Sequence, residues 1–303
     1  MLRTLPLLVL FGPTVWAADN VPVRESSAPA LIGMSMPGFY NAYLYSTEPR
    51  DILTLFAPDG HEFFRLPFAG RGNGWVSVES VAVDSNGMLA VAWRDTPNAG
   101  IDIREASGTL LRSIDTGRYV PAHLSFAANH ALWAFGWQRD AEVPNTSDKR
   151  DYPTVRKYSM DGKEVGAYLS KSLFGSLEPG MSESQRRCIT VTGDRVGIEA
   201  VSGKVSNQRE WVELDLNGKI TGRWKMNERD QFPGVAFTSD DQAYVHRYNR
   251  ETNTIQTFRL NRTLSTWDLV NAPNLELYGS DGDKLVFARW SGPIVGLSWF
   301  QQP

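Results

Sequence analysis

Along most of the chain, short apolar runs alternate with tight polar turns, and the runs are of two kinds. The first kind is apolar at nearly every position. It pairs Val81–Val83 with Leu89–Trp93, Leu124–Phe126 with Leu132–Phe135, Ile189–Val191 with Val196–Ile198, Val235–Phe237 with Ala243–Val245, and Leu275–Leu277 with Leu285–Phe287. Between the partners stand Ser85-Asn86-Gly87, Ala128-Asn129-His130, Thr192-Gly193-Asp194, Ser239-Asp240-Asp241 and Ser280-Asp281-Gly282. The second kind mixes apolar with polar positions and turns at Pro58-Asp59-Gly60, Ala106-Ser107-Gly108, Met160-Asp161-Gly162, Leu216-Asn217-Gly218 and a glycine-less Leu260-Asn261-Arg262. Asp-Gly or Asn-Gly between such runs predicts hairpins, with tight primed turns that need positive φ. No segment keeps a 3.6-residue apolar period, which disfavours helical repeats.

The two hairpin types alternate without exception. That pattern predicts a four-stranded unit A-B-C-D in which an apolar A-B hairpin precedes a more polar C-D hairpin. Antiparallel units repeated at this period point to a β-propeller. Without a short leader the chain divides into six units of about 48 residues, while seven would leave little room for the long loops 140–151 and 170–184. The expected fold is therefore all-β: a six-bladed β-propeller of four-stranded antiparallel blades. The last unit supplies strands A, B and the run Ile294–Phe300, then stops. An N-terminal run near Val21–Glu25 is expected to complete it, since an open strand edge is one proteins generally avoid. The first blade would then use Leu31–Met34 as strand A and Tyr43–Tyr45 as strand B.

The turns Asp59-Gly60, Asp161-Gly162-Lys163 and Asn217-Gly218-Lys219, with Ser85-Asn86-Gly87 on the other hairpin, resemble those of the six-bladed propellers of the NHL and TolB-like superfamily. The resemblance runs over nearly the whole chain and concerns architecture. Binding modules, lactonases and lyases all use that fold, so it assigns no activity.

Before residue 18 the pattern is different. Arg3 precedes an apolar run from Leu5 to Val15, and Val15-Trp16-Ala17 follows as a small-x-Ala site. This is the order of a secretory signal peptide, so residues 1–17 are expected to be removed and 18–303 to form one domain in the periplasm or outside the cell. The run is shorter than the ~20 residues a membrane span needs. Cys188 is the only cysteine, so export brings no intrachain disulfide. With 31 basic and 34 acidic residues the net charge is −3, which gives no general drive toward nucleic acid.

Candidate chemistry concentrates in arginines beside aromatics at the ends of strand B: Trp93 and Arg94, Trp137 and Arg139, Arg247 and Tyr248, Arg289 and Trp290. Loops leading into strand A add Arg118 and Tyr119, together with Arg71, Trp75, Arg186, Arg187, Arg229 and Phe232. In a propeller the B–C and D–A loops share one face. A guanidinium offers a planar fork for carboxylate or phosphate, and aromatic rings offer flat apolar platforms. The reading is an exported binding or scaffold protein that takes a small anionic or sugar-like ligand, or a protein partner, on this face. The alternative is a lactonase- or lyase-like enzyme with a divalent cation at the channel mouth. No metal site or cofactor is expected; under the alternative, Glu79, Glu183 and Asn274 would supply oxygen ligands suited to Ca²⁺ or Mg²⁺. His61, His123, His130 and His246 have no metal-motif spacing, and no catalytic residue emerges from the sequence.

Overall fold

The computed structural model describes residues 22–29, 38–40, 43–46, 52–56, 62–67, 76–95, 98–142, 147–174, 189–201, 209–226, 234–249, 251–291 and 294–303. Everything below concerns these residues. The expected signal peptide, Leu31–Met34, Arg71, Trp75, Glu183, Arg186, Arg187, Cys188, Arg229, Phe232 and His61 lie outside them.

The chain is a β-propeller of four-stranded antiparallel blades. It starts with strand β1 (Arg24–Pro29). The next twenty strands make five blades of four consecutive strands each. Blade one holds β2 (Gly38–Tyr40), β3 (Tyr43–Ser46), β4 (Ile52–Phe56) and β5 (Glu62–Pro67). Blade two holds β6 (Ser77–Val83), β7 (Leu89–Arg94), β8 (Ala99–Arg104) and β9 (Leu110–Asp115). Blade three holds β10 (Tyr119–Phe126), β11 (Leu132–Gln138), β12 (Pro153–Tyr158) and β13 (Glu164–Ser170), followed by a 3-10 turn at Lys171–Phe174. Blade four holds β14 (Ile189–Thr192), β15 (Arg195–Val201), β16 (Arg209–Asp215) and β17 (Ile220–Lys225). Blade five holds β18 (Val235–Phe237), β19 (Ala243–Asn249), β20 (Thr254–Asn261) and β21 (Thr266–Val270).

The six blades expected from the sequence need correction here: five are contiguous in the chain. The remaining four-stranded sheet is composite. β22 (Glu276–Asp281), β23 (Lys284–Ser291) and β24 (Ile294–Gln301) are joined by β1 in the order β1-β24-β23-β22. Arg24 pairs with Trp299 and Pro29 with Ile294, three to four residues C-terminal to the run expected to do this. Val23 adds a backbone bond to Trp299 O at 2.7 Å.

Burial explains the two kinds of run. β7 and β8 are buried at every position but the last, because blades stack on both of their faces. The outer strands β9 and β17 are mostly exposed, and their sequences are accordingly mixed. Apolar clusters lie between sheets. Trp133 and Phe135 of blade three pack with Ile198 and Val212 of blade four, and Ala236 and Tyr244 of blade five with Phe287 and Phe300 of the composite sheet. Phe56 of blade one packs with Val286 and Trp299 of the composite sheet.

Most of the described turns are not the two-residue primed type expected; Thr192–Arg195 and Asp281–Lys284 do close over two residues, with positive φ at Gly193 (51°) and Gly282 (59°). In four others the chain closes a three-residue loop with a single positive φ at the last position: Gly87 (80°), Gly108 (88°), Gly162 (84°) and Gly218 (83°). Gly108 N donates to Glu105 O and Glu105 N to Thr109 O, the bond pair of a turn followed by a glycine bulge. His130 (62°) and Asp241 (62°) take the glycine's place in two others.

Candidate binding site on the loop face

Strand direction puts Arg94, Arg139, Arg247 and Arg289 at the same end of their blades, where the B–C and D–A loops lie. Their side chains have different fates. The largest assembly forms between blades two and three. β6 carries a bulge between Val78 and Ser80, so Glu79 falls out of the pairing register. Bulges re-aim side chains, and Glu79 meets Arg94, whose Nε donates to Glu79 Oε1 at 2.8 Å. Arg94 remains about one-third exposed, at 34%.

Arg139 lies just past the end of β11 and is only 1% exposed. Its Nη2 donates to the Asp95 carbonyl across the blade boundary at 2.9 Å. Its Nε and Nη1 are buried without an acceptor among the described residues. Burial first, and the neighbouring Arg94 charge second, push the Arg139 pKa below the ordinary guanidinium value, while Asp95 and Glu79 oppose this. The Asp95 carboxylate is engaged elsewhere, accepting from Asn98 N at 3.0 Å. Two cations therefore stand close together, and among the described residues only Arg94 has a carboxylate partner.

Beside them blade three builds a second cluster around Asp148, which is buried. Arg118 donates to its Oδ2 at 3.2 Å, and Arg150 grips both oxygens at 3.1 and 3.0 Å. The Arg150 side-chain and backbone donors hold the Asp148 carboxyl well below the usual carboxylate range. Asp140 caps its own loop by accepting from Glu142 N at 2.8 Å.

The expected aromatic platforms are mostly interior. Trp93 donates its indole N–H to the buried Asp102 at 3.1 Å. The same Trp-to-carboxylate contact recurs as Trp211 to Glu213 and Trp299 to Asp281, each at 2.9 Å. Trp137 packs with Ala99, Val120 and Tyr152. Tyr119 is buried, its hydroxyl within bonding distance of the Ala134 and Thr154 carbonyls, and burial raises its pKa well above the usual value. Arg156 lies over its ring at 4.2 Å.

The other candidates stand apart. Arg247 stacks on Phe258 at 4.4 Å, and the exposed Tyr248 bonds Asn253 through its hydroxyl. Trp290 lies in β23, and Arg289 opens onto a separate cleft. Asn274 accepts from Ile255 N at 2.6 Å, so Glu79 and Asn274 are engaged in different blades and do not converge. Among the described residues no three His, Cys, Asp or Glu side chains are grouped closely enough to hold a metal ion. No helix among them is long and apolar enough to cross a membrane.

Sequence reasoning missed Asp148 and Arg150. The charge-dense segment Asp148-Lys149-Arg150-Asp151 inside a long B–C loop was the available signal. Glu79 was legible in the sequence as a possible partner for the strand-B arginines, but that it meets Arg94 was not, because the bulge that aims it is a property of pairing and leaves no mark in one strand.

No protein-family model matches the chain, and no curated protein matches it in sequence. Among solved structures it is similar to an inactive variant of virginiamycin B lyase from Staphylococcus aureus bound to quinupristin, with TM-score 0.51, 13% identity, and 84% of this chain and 76% of that one covered. It is also similar to a prolyl endopeptidase, with TM-score 0.50, 14% identity, and 91% of this chain but 41% of that one covered. BamB from Moraxella catarrhalis overlays at TM-score 0.43 with 10% identity, covering 88% of this chain and 71% of that one. At these identities the first two bear on the propeller fold and on nothing further.

Proposed function

We propose that this chain is an exported recognition propeller that binds an anionic or sugar-acid ligand, or an acidic patch of a protein partner, on the loop face of blades two and three. The composite sheet serves in this reading as a sixth blade. In its support, the innermost strands β2, β6, β10, β14, β18 and β22 neighbour one another in succession and β22 returns to β2.

The observation that carries the binding role is Arg139. A guanidinium buried with two N–H groups lacking acceptors, next to a second arginine, is costly unless something negative completes it. A carboxylate or phosphate reaching Arg94, which keeps about a third of its surface exposed at 34%, relieves the repulsion between the two cations. A charge-assisted contact of this kind contributes about 1.5–3 kcal/mol, or ten- to a hundredfold in affinity.

The test is calorimetric titration of the mature protein with inorganic phosphate and with D-glucuronate. Wild type should bind at least one of them, and the pair Arg94→Gln with Arg139→Met should lose that binding while staying folded by circular dichroism. Equal binding by wild type and the double variant would defeat the proposal.

A further inference from the structure

The composite sheet carries a cleft whose lining includes no residue of blade two or blade three. The cleft, of about 880 Å³, runs along the outer half of the sheet's face, walled by β1 and β24 and roofed by the Pro273–Leu275 segment. Its size falls within the ~300–1,000 Å³ of ordinary small-ligand sites.

The pairing register explains why the cleft exists. Ser27, Gly296 and Arg289 stand in one cross-strand row, and Glu25, Ser298 and Phe287 in the row two residues along, so these side chains share a face. Nearer the axis, Phe287 and Phe300 meet edge-to-face at 5.4 Å and pack on Ala236 and Tyr244 of blade five. Farther out, between Arg289 and Glu25, the same face presents Ser27, Gly296 and Ser298, too small to reach the neighbouring segment. A Cβ added at Gly296 would find only the Arg289 carbonyl, at 3.7 Å, so the space above it is open. The seam beneath is firm, since Leu277 N donates to His246 Nδ1 at 2.8 Å.

Charge defines what the cleft can hold. Arg289 stands exposed on one wall and Glu25, also exposed, on the other. Two strand spacings and two residues of rise separate their Cα atoms by roughly 12 Å. One positive and one negative end at that span match a zwitterion of two or three residues, at ~3.4 Å per residue.

We infer that this cleft is a second ligand site, taking a short zwitterionic peptide with its carboxylate on Arg289 and its ammonium group on Glu25. The serines and the Pro273, Leu275 and Phe300 surfaces accommodate the peptide body between the charges. Because one wall is β1, an occupant also bridges the two ends of the chain.

The experiment titrates the full mature protein with tri-L-alanine, with its N-acetyl form and with its C-terminal amide. The free tripeptide should bind, the acetyl and amide forms about ten- to a hundredfold more weakly, matching the loss of one charge-assisted contact each. Arg289→Gln should weaken the tripeptide but not distinguish it from the amide, and Glu25→Gln should do the same for the acetyl form. Ser298→Leu, which fills the cleft and keeps both charges, should abolish binding, with the melting temperature reporting that the variant is folded. No binding of tri-L-alanine at millimolar concentration, or binding untouched by Ser298→Leu, would overturn the inference. Arg94→Gln with Arg139→Met should leave tripeptide binding unchanged, so this site and the loop-face site stand or fall separately.

Discussion

The junction of blades two and three and the junction of blade five with the composite sheet solve the same packing problem in opposite ways. In the first, Trp137 and Tyr152 fill the space between sheets with Ala99 and Val120, and charges are knitted across the boundary through Arg139 and the Asp95 carbonyl. In the second, Ser27, Gly296 and Ser298 leave the outer space open, and Arg289 and Glu25 stand exposed at its edges. A propeller needs only its inner strands packed tightly to stay closed. What occupies the space nearer the loop face is a local choice, and the size of a few side chains decides between a plug and a cleft.

The most damaging way to break this comparison is to remove β1. Deleting residues 18–29 strips six paired residues and the Arg24 stack on Trp299 at 4.8 Å. At about 0.5–1.5 kcal/mol per backbone bond the loss is on the order of 5 kcal/mol, with aggregation through the bared β24 edge. A truncated protein that melts like the untruncated one in a calorimetric scan would refute the role of the composite sheet.

Trp137→Ala attacks the plug. A buried tryptophan lost to a cavity costs ~3–5 kcal/mol, measured by urea unfolding. Ser298→Leu is the converse change, adding a large side chain where there is room, and should cost under about 1 kcal/mol. If the two changes cost the same, the junctions are not packed differently.

Asp148→Asn sharpens the electrostatic half of the contrast. The Asp148 carboxyl is held below its ordinary value by Arg150, so its contribution is fully present above the unfolded carboxylate pKa of about 3.9 and fades as pH falls through the folded value. Wild type should lose stability steeply on acidification below pH ~4, and the variant should start lower at neutral pH and show a shallower acid slope. Parallel melting curves across pH 2–7 would show that the carboxylate holds nothing together.

Arg139→Met has the smallest expected effect on stability. Replacing an incompletely bonded buried guanidinium with an apolar side chain of similar length should change unfolding free energy by less than about 1.5 kcal/mol, in either direction. A loss above 3 kcal/mol would make Arg139 a structural tie between blades and remove the basis for the loop-face site.

Much of this was legible in the chain itself. Strands buried on both faces must be apolar throughout, so the runs of β7 or β11 announced inner strands while the mixed run of β9 announced an outer one. The repeating turns gave the period, because a hairpin needs a residue that tolerates positive φ, and glycine at 87, 108, 162 and 218 supplies it. Connectivity then put the strand-B arginines on one face. His130 and Asp241 show the limit of that code, since both adopt glycine's φ and were readable as turns only through their Asn and Asp neighbours.

The sequence by itself determined the strand order, the hairpin alternation and the end of each blade on which the charged residues fall, all of which follow from local periodicity and turn chemistry. Only the tertiary structure decided which arginines meet. Arg139 reaches Asp95 across 44 positions of sequence, and Glu79 reaches Arg94 only because a bulge in β6 turns it. The registers of β1 on β24 and of β24 on β23 likewise set Glu25, Ser27 and Arg289 on one face. Such pairings depend on distance in space between segments far apart in the chain, and no local pattern of apolar and polar residues encodes that distance.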